Sequence, residues 1–375
     1  MKTSLYIHIP FCISKCSYCD FYSVERTKSL VPNEYISSLC NEIEAKCKYY
    51  NVEELKTVYI GGGTPSLLSK EQFESITKTL RKIGISSDAE FTVEANPDDV
   101  NPELLSFLWD FGINRLSCGI QSLNEKSLTY VKRRASKNQC LSALNLLKNN
   151  WKGILSLDLI AGLPFETLES FYNGIKQICE FEPQHISLYS LTIEEGTLLE
   201  KEISSNIVDY DCDLSDKIWL YGRNILQENN YNQYEVSNFC KEGYECKHNL
   251  VYWNHENYIG CGCAATGSIY DEKGCCLRYS NKNNIKNYID YWLNETSKNI
   301  FSYNENVVDI EKIDKNTSKF EFFMLGLRKL EGISSVYFQN KFIEEIPLSA
   351  KQLFYKWQKK GLVICRKENN DTISS

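Results

Sequence analysis

The feature that most restricts the fold is an alternation of short apolar runs with amphipathic stretches over the first 200 residues. Helix-start signals separate the runs: Ser69 with Gln72 forms a capping box, and Asn101 precedes Pro102 at the start of another helix. Strand–helix alternation predicts a parallel sheet with helices outside it. Six such units predict an α/β fold of the partial (β/α)6, TIM-like barrel type. The candidate strands are Leu5–Ile9, Thr57–Ile60, Phe91–Ala95, Arg115–Ile120, Ile154–Leu159 and His185–Ser190.

The pattern changes after the sixth unit, which predicts a division of the chain. We expect a core barrel over residues 1–230, a loop-rich segment over 231–280, and a small, mainly helical C-terminal domain over 281–375. Apolar stripes at helical spacing near Ile285–Leu293, Phe320–Leu330 and Leu348–Leu362 support the helical domain.

Composition excludes several classes of protein. A net charge of −7 and a pI near 5.4 give no basic surface for nucleic acid. No apolar run approaches the roughly 20 residues of a membrane span. The apolar start of the chain ends at Pro10 and is too short for a signal peptide. The sequence therefore predicts a cytoplasmic protein without a membrane span, where its 16 cysteines stay reduced.

Three of these cysteines form a compact motif directly after the first predicted strand. Cys12, Cys16 and Cys19 lie within eight residues, with the spacing Cys-x3-Cys-x2-Cys. Three thiolates on one short loop can bind three corners of an iron–sulfur cubane and leave the fourth iron without a protein ligand. A fourth cysteine would close the cluster and make a simple electron carrier. Structural zinc is disfavoured because it takes four ligands, usually in two separated pairs.

A second group of cysteines, Cys261, Cys263, Cys275 and Cys276, has no such spacing. A second metal site there is an alternative, but small buried side chains are the preferred interpretation.

Polar and glycine-rich segments follow the other predicted strands. Gly61–Pro65 reads Gly-Gly-Gly-Thr-Pro, and such glycines let bare backbone approach a ligand closely. Glu94, Gln121 and Asp158 come at the ends of three successive strands. Since ligands bind at the carboxyl ends of parallel strands, these side chains predict a polar pocket beside the cysteine loop.

These motifs together resemble the radical S-adenosylmethionine (SAM) superfamily. The cysteine spacing is its signature, and several further segments resemble its coproporphyrinogen-oxidase-like branch: Tyr6–Cys12, Glu94–Pro97, Asn114–Ser117, Asp158–Pro164 and His248–Trp253. The resemblance implies a [4Fe–4S] cluster on Cys12, Cys16 and Cys19, with SAM on the open iron. It leaves open whether one or two SAM molecules bind. The SAM contacts implied are Tyr6, Tyr18, Gly62, Gly63, Thr64, Glu94, Gln121, Arg133 and Asp158, and Arg134 is an alternative to Arg133.

Within this branch, the sequence resembles the haem chaperones more than the oxygen-independent coproporphyrinogen III oxidase. The oxidase carries a further cysteine two residues after the third ligand, where this chain has Phe21, and it has a longer N-terminal arm. The resemblance implies a protein that binds haem and transfers it to an unidentified acceptor protein, with a reductant for the cluster as a second partner. The alternative is the oxidase itself, which decarboxylates the propionates of coproporphyrinogen by radical chemistry.

The haem contacts implied by the resemblance are His248, Tyr252 and Trp253, in a His-Asn-x-x-Tyr-Trp motif. Imidazole is a standard haem ligand, and aromatic rings suit a flat porphyrin face. A buried histidine that is satisfied by hydrogen bonds is the alternative for His248. Thr266 stands where relatives carry a histidine, which weakens the match at the haem site.

Overall fold

The computed structural model describes residues 1–25, 31–294, 307–366 and 372–374. The strands in chain order are β1 (Lys2–Ile9), β2 (Phe11–Cys12), β3 (Val24–Glu25), β4 (Glu54–Gly62), β5 (Ile85–Ala95), β6 (Arg115–Gln121), β7 (Ile154–Ala161), β8 (His185–Ser190), β9 (Asn232–Gln233), β10 (Asn238–Cys240), β11 (Tyr258–Cys261), β12 (Thr266–Tyr270), β13 (Cys276–Asn281), β14 (Val308–Ile313), β15 (Ile333–Ser334), β16 (Ile364–Arg366) and β17 (Thr372–Ser374).

The helices in chain order are α1 (Asn33–Tyr49), α2 (Lys70–Ile83), α3 (Pro102–Asp110), α4 (Glu125–Tyr130), α5 (Lys137–Asn150), α6 (Leu168–Cys179), α7 (Leu198–Ser204), α8 (Cys212–Glu228), α9 (Lys247–Trp253), α10 (Ile285–Asn294), α11 (Lys315–Gly326), α12 (Ser335–Phe342) and α13 (Leu348–Lys359). No helix in the described ranges is long and apolar enough to cross a membrane.

The six predicted strands form the centre of one curved sheet, as β1, β4, β5, β6, β7 and β8. Each pairs in parallel with the next, which confirms the predicted α/β architecture. Capping fixes where the intervening helices begin. The Ser69–Gln72 capping box opens α2, and Asn101 accepts a hydrogen bond from the Leu104 N–H at the start of α3.

The sheet continues on both sides of these six strands. On one side, β11 pairs in parallel with β1 and is followed by the antiparallel strands β12, β13 and β14. On the other, β10 and β9 follow β8. Residues 231–280 therefore hold five short strands and α9 where the sequence predicts a loop-rich segment. The domain boundaries at 230 and 280 stay a prediction.

The described part of 281–375 is mainly helical, as the apolar stripes predict, with α10–α13 and the short strands β14–β17. Its own core consists of aromatic and aliphatic side chains: Phe322, Ile333, Phe338, Phe342, Ile346 and Phe354. Residues 295–306, 367–371 and 375 of this predicted domain lie outside the described residues.

Side chains alternate along the parallel strands, which puts a polar set inside the barrel. On β5 the inward positions are Glu90, Thr92 and Glu94, all buried or nearly so. The upper end of this interior, at the carboxyl ends of the strands, opens into a cavity. The lower end is closed by a buried ion pair between Arg115 and Glu90.

Candidate functional site

A cavity of about 460 Å³ lies at the carboxyl ends of β4–β8 and beneath the cysteine loop. This volume is within the roughly 300–1,000 Å³ of small-molecule sites. Its walls bring together eleven of the twelve residues predicted for the cluster and SAM. They are Cys12, Cys16, Tyr18, Cys19, Gly62, Gly63, Thr64, Glu94, Gln121, Arg133 and Asp158.

The cysteine loop is held by backbone hydrogen bonds at both ends and in the middle. Strands β2 and β3 pair in parallel and close its base. Ser17 donates its N–H to the Val131 carbonyl at 3.0 Å and accepts from the Leu199 N–H at 2.9 Å. These bonds tie the middle of the loop to Val131 and to α7.

The three thiols face the cavity and are half-buried. Thr64 Oγ1 lies 3.5 Å from Cys12 Sγ, and Arg133 lies 3.6 Å from Cys16 Sγ. No other cysteine in the described ranges lines the cavity. Nor do three His, Cys, Asp or Glu side chains there converge as they would on a single metal ion. In a cubane each thiolate binds a different iron, so three separated thiols fit a cluster better than they fit zinc.

The glycines at the end of β4 and directly after it allow close packing on both sides of this segment. A Cβ on Gly61 would come within 2.9 Å of the Glu94 carboxyl group. A Cβ on Gly63 would meet the Phe11 backbone at 2.7 Å, where Gly63 donates its N–H to the Ile9 carbonyl. Bare backbone at these positions therefore lets the loop lie against both the cysteine loop and the Glu94 carboxyl group.

Two buried carboxyl groups point into the cavity. Burial and, to a smaller extent, the neighbouring Asp158 raise the pKa of Glu94 to about 7. The Tyr59 hydroxyl (2.8 Å) and the Gly62 N–H (3.0 Å) donate hydrogen bonds to the Glu94 carboxyl group and act to lower this pKa. Burial also raises the pKa of Asp158, against hydrogen bonds from Ser187 and Ser117. Neither carboxyl group has an ion-pair partner within 4.0 Å among the described residues. A cationic ligand would relieve both.

Gln121 and two arginines complete the polar lining of the cavity. Gln121 has a left-handed backbone (φ 66°), and its Oε1 is buried without a partner, which leaves an acceptor for a ligand. Arg133 reaches across the cavity wall to Cys16, to Asn96 and to the Gly119 carbonyl. Arg134 is instead held in ion pairs with Asp98 and Asp99. Both arginines line the cavity, so Arg133 stays the predicted contact and Arg134 its alternative.

The twelfth predicted residue, Tyr6, lies one layer below the cavity. Its hydroxyl donates to His8 Nδ1 at 2.9 Å, and its ring stacks on Tyr59 at 6.2 Å. Tyr59 lines the cavity but was not predicted. The inward alternation of Thr57, Tyr59 and Gly61 along β4 was the available signal.

The predicted haem residues do not line the cavity. His248 is 1% exposed, and its two ring nitrogens are bonded to Thr57 Oγ1 at 2.7 Å and Tyr252 Oη at 2.8 Å. Burial lowers its pKa to about 3, so the ring is neutral. The Trp253 ring lies 5.2 Å from the Arg328 guanidinium. In this conformation His248 offers no free nitrogen to iron, which agrees with the alternative of a satisfied buried histidine.

Thr266 and the three buried members of the second cysteine group have structural surroundings in this conformation. Thr266 bonds Ser280 between β12 and β13 at 2.8 Å. Cys261, Cys263 and Cys276 are buried, and Cys263 Sγ donates to the Lys282 carbonyl at 3.2 Å.

Comparisons with known proteins agree on one family. The family model described as "Radical SAM superfamily" matches residues 6–178. The heme chaperone HemW of Escherichia coli K12 is 36% identical over 336 residues, which cover 89% of this chain and 85% of that protein. This chain belongs to the HemW family of radical SAM proteins. The HemW of Bacillus subtilis is 32% identical over 365 residues, covering 96% of this chain and 92% of that protein.

The fold of this HemW-family chain also matches a solved structure. The E. coli coproporphyrinogen III oxidase HemN, described as a radical SAM enzyme, superposes with a TM-score of 0.81 over all of this chain and 86% of the oxidase chain. The two sequences are only 20% identical, so the likeness shows the fold alone.

Membership in the radical SAM superfamily implies a [4Fe–4S] cluster and SAM. The residues of the cavity fit both groups. Three thiols without a fourth suit an open-iron cluster, while the unpartnered Gln121 Oε1 and two buried carboxyl groups suit a cationic ligand with hydrogen-bond donors.

Proposed function

We propose that this chain is a haem chaperone that binds haem, carries a [4Fe–4S] cluster and SAM, and transfers haem to an acceptor protein. Cys12, Cys16 and Cys19 hold the cluster, and Glu94, Asp158 and the Gly62–Thr64 backbone hold SAM. The curated relatives named as haem chaperones support this, since they match about nine-tenths of the chain. The acceptor and the reductant for the cluster are proposed partners of unknown identity.

Each part of the cavity has a task in this proposal. The Glu94 carboxylate accepts from the ammonium group of SAM, with the Tyr59 hydroxyl and the Gly62 N–H fixing its position. Arg133 braces the cysteine loop against β6 through Cys16 and the Gly119 carbonyl. A cluster held by these three thiolates would supply single electrons to the site.

One observation supports haem rather than oxidase chemistry most directly. Phe21 stands where the oxidase carries a cysteine, and its ring is 68% exposed at the cavity mouth. Ile13, on the same loop, is 39% exposed and also lines the mouth. Apolar side chains that face solvent beside the cluster offer a docking face for the flat apolar surface of a porphyrin.

The test is an anaerobic reconstitution followed by haem titration and a coproporphyrinogen assay on the same sample. We expect about one haem per chain and no protoporphyrinogen. Phe21→Ser should weaken haem binding by about tenfold or more, since a buried Phe side chain contributes about 1.5–3 kcal/mol. The matched control is Phe320→Ser, because Phe320 is 67% exposed on α11 and outside the cavity. Formation of protoporphyrinogen by the wild-type protein would contradict the proposal.

A further inference from the structure

His248 lies beneath Tyr59, outside the cavity lining, and is fixed from three directions. Its imidazole nitrogens are bonded to hydroxyl groups of Thr57 on β4 and Tyr252 on α9. Its backbone N–H donates to Glu90 on β5 at 2.9 Å. Since the ring is buried and both nitrogens are bonded, its position is set by the strands and the helix around it.

The His248 ring is the base of a column of stacked rings. It stacks on Tyr59 with ring centroids 5.2 Å apart and planes at 27°. Tyr59 in turn stacks on Tyr6 at 6.2 Å and 30°. The Tyr59 ring is therefore held between two flat neighbours, and its hydroxyl is aimed at Glu94 Oε1, 2.8 Å away.

Through this column His248 can affect the cavity, although it does not line the cavity itself. A tyrosine hydroxyl donates well to a carboxylate only when its ring is held at the right height and angle. The second donor to Glu94, the Gly62 N–H, is fixed by backbone. Of the two donors, only the Tyr59 hydroxyl depends on side-chain packing.

We propose that His248 is a positioning residue for the SAM site, holding the Tyr59 ring so that its hydroxyl orients the Glu94 carboxylate toward the ligand. This role rests on the proposed function, which assigns SAM to the Glu94 side of the cavity. It replaces the expectation that His248 ligates haem iron. An iron bond would require the ring to give up Thr57 or Tyr252 and leave a buried hydroxyl group unpaired.

The test compares SAM affinity by anaerobic calorimetry in four reconstituted variants. Tyr59→Phe keeps the stack but removes the donor, and we expect about fivefold weaker binding, or about 1 kcal/mol. His248→Ala removes the support and should also lose about fivefold, whereas His248→Phe restores a flat ring and should stay within about twofold of wild type. The double variant Tyr59→Phe/His248→Ala should bind about as weakly as Tyr59→Phe alone, since both changes remove one interaction.

His185→Ala is the matched control. His185 is also 1% exposed, and its ring nitrogens are bonded to Ser156 Oγ at 2.7 Å and Tyr234 Oη at 2.9 Å. Its ring lies against Tyr234, which does not line the cavity. His185→Ala should therefore cost stability to a similar degree and leave SAM affinity unchanged.

The possible results separate this inference from the proposed function. If the wild-type protein does not bind SAM, the proposed function fails and this inference with it. If the wild type binds SAM but His248→Ala binds it equally well, only the positioning role is overturned. Equal losses in His248→Ala and His248→Phe, or independent losses that multiply in the double variant, would also overturn it. Should His248→Ala fail to fold, the affinities of His248→Phe and Tyr59→Phe decide, since near-normal binding is expected in the first only.

Discussion

Replacing Gly62 by alanine tests how closely the glycine loop is packed against the first strand. Gly62 has a φ of +111°, and a Cβ there would lie 2.5 Å from two atoms of the His8 ring. His8 cannot move aside freely, because it is 5% exposed, accepts from the Tyr6 hydroxyl and donates to the Tyr22 carbonyl. The backbone cost of about 1–2 kcal/mol adds to an overpacking cost of about 1–3 kcal/mol. We expect a total loss of about 2–5 kcal/mol in the free energy of unfolding.

The control for this variant is Gly112→Ala. Gly112 also has a positive φ, +94°, but a Cβ there would have no neighbour within 4 Å. Anaerobic urea unfolding of both variants therefore separates the backbone cost from the clash. Gly62→Ala should also bind SAM more weakly with normal iron content, because displacing His8 disturbs Tyr6 and the backbone beside the cysteine loop. Equal stability losses in the two variants would refute the clash with His8.

Three further variants test the cluster, the charge of the cavity and the buried histidine. Cys16→Ala should lose the iron–sulfur absorbance because two thiolates hold a cubane poorly, whereas Cys365→Ala should keep it; a full iron content in Cys16→Ala would exclude the assigned ligands. Glu94→Gln should weaken SAM binding by about 10–100-fold in calorimetry, since it removes a charged acceptor of nearly equal size, and unchanged affinity would remove Glu94 from the site. His248→Phe should be less stable than wild type at pH 7, but the difference should shrink by about 2 kcal/mol at pH 5. The native His248 ring stays neutral over this range, while in the unfolded chain it binds a proton below its ordinary pKa of 6.5. Wild type therefore loses the contribution of His248 as the pH falls and the variant does not, so a constant difference in urea unfolding would contradict the buried neutral ring.

The barrel could be predicted from sequence because its signals are local. A capping box such as Ser69–Gln72, or an Asn-Pro helix start at Asn101, is complete within four residues. The strands β9–β13 were missed because they are two to six residues long and because β10 and β11 join the main sheet through the distant strands β8 and β1. Leu5 of β1, for example, pairs with Ile259 of β11, which lies far from it in the sequence. No local pattern fixes such a register.

The residues of the site also divide into those with a local signal in the sequence and those without one. Spacing alone predicts Cys12, Cys16 and Cys19 as a group, and an acidic residue at the end of an apolar strand predicts Glu94 and Asp158. The position of His248 could not be predicted, because its partner Thr57 lies 191 residues earlier in the chain. A motif shows which residues recur together, but whether an imidazole nitrogen is free depends on which strands meet around it.

The most direct test of the central claim is electron paramagnetic resonance of the reconstituted, reduced protein, recorded with and without SAM. A cluster held by only three thiolates has an open iron, so we expect about four irons per chain and a signal that changes when SAM is added. The Cys16→Ala protein should show no such cluster signal. A cluster signal that is identical with and without saturating SAM would contradict the open-iron site and with it the assignment of Cys12, Cys16 and Cys19 as its only protein ligands.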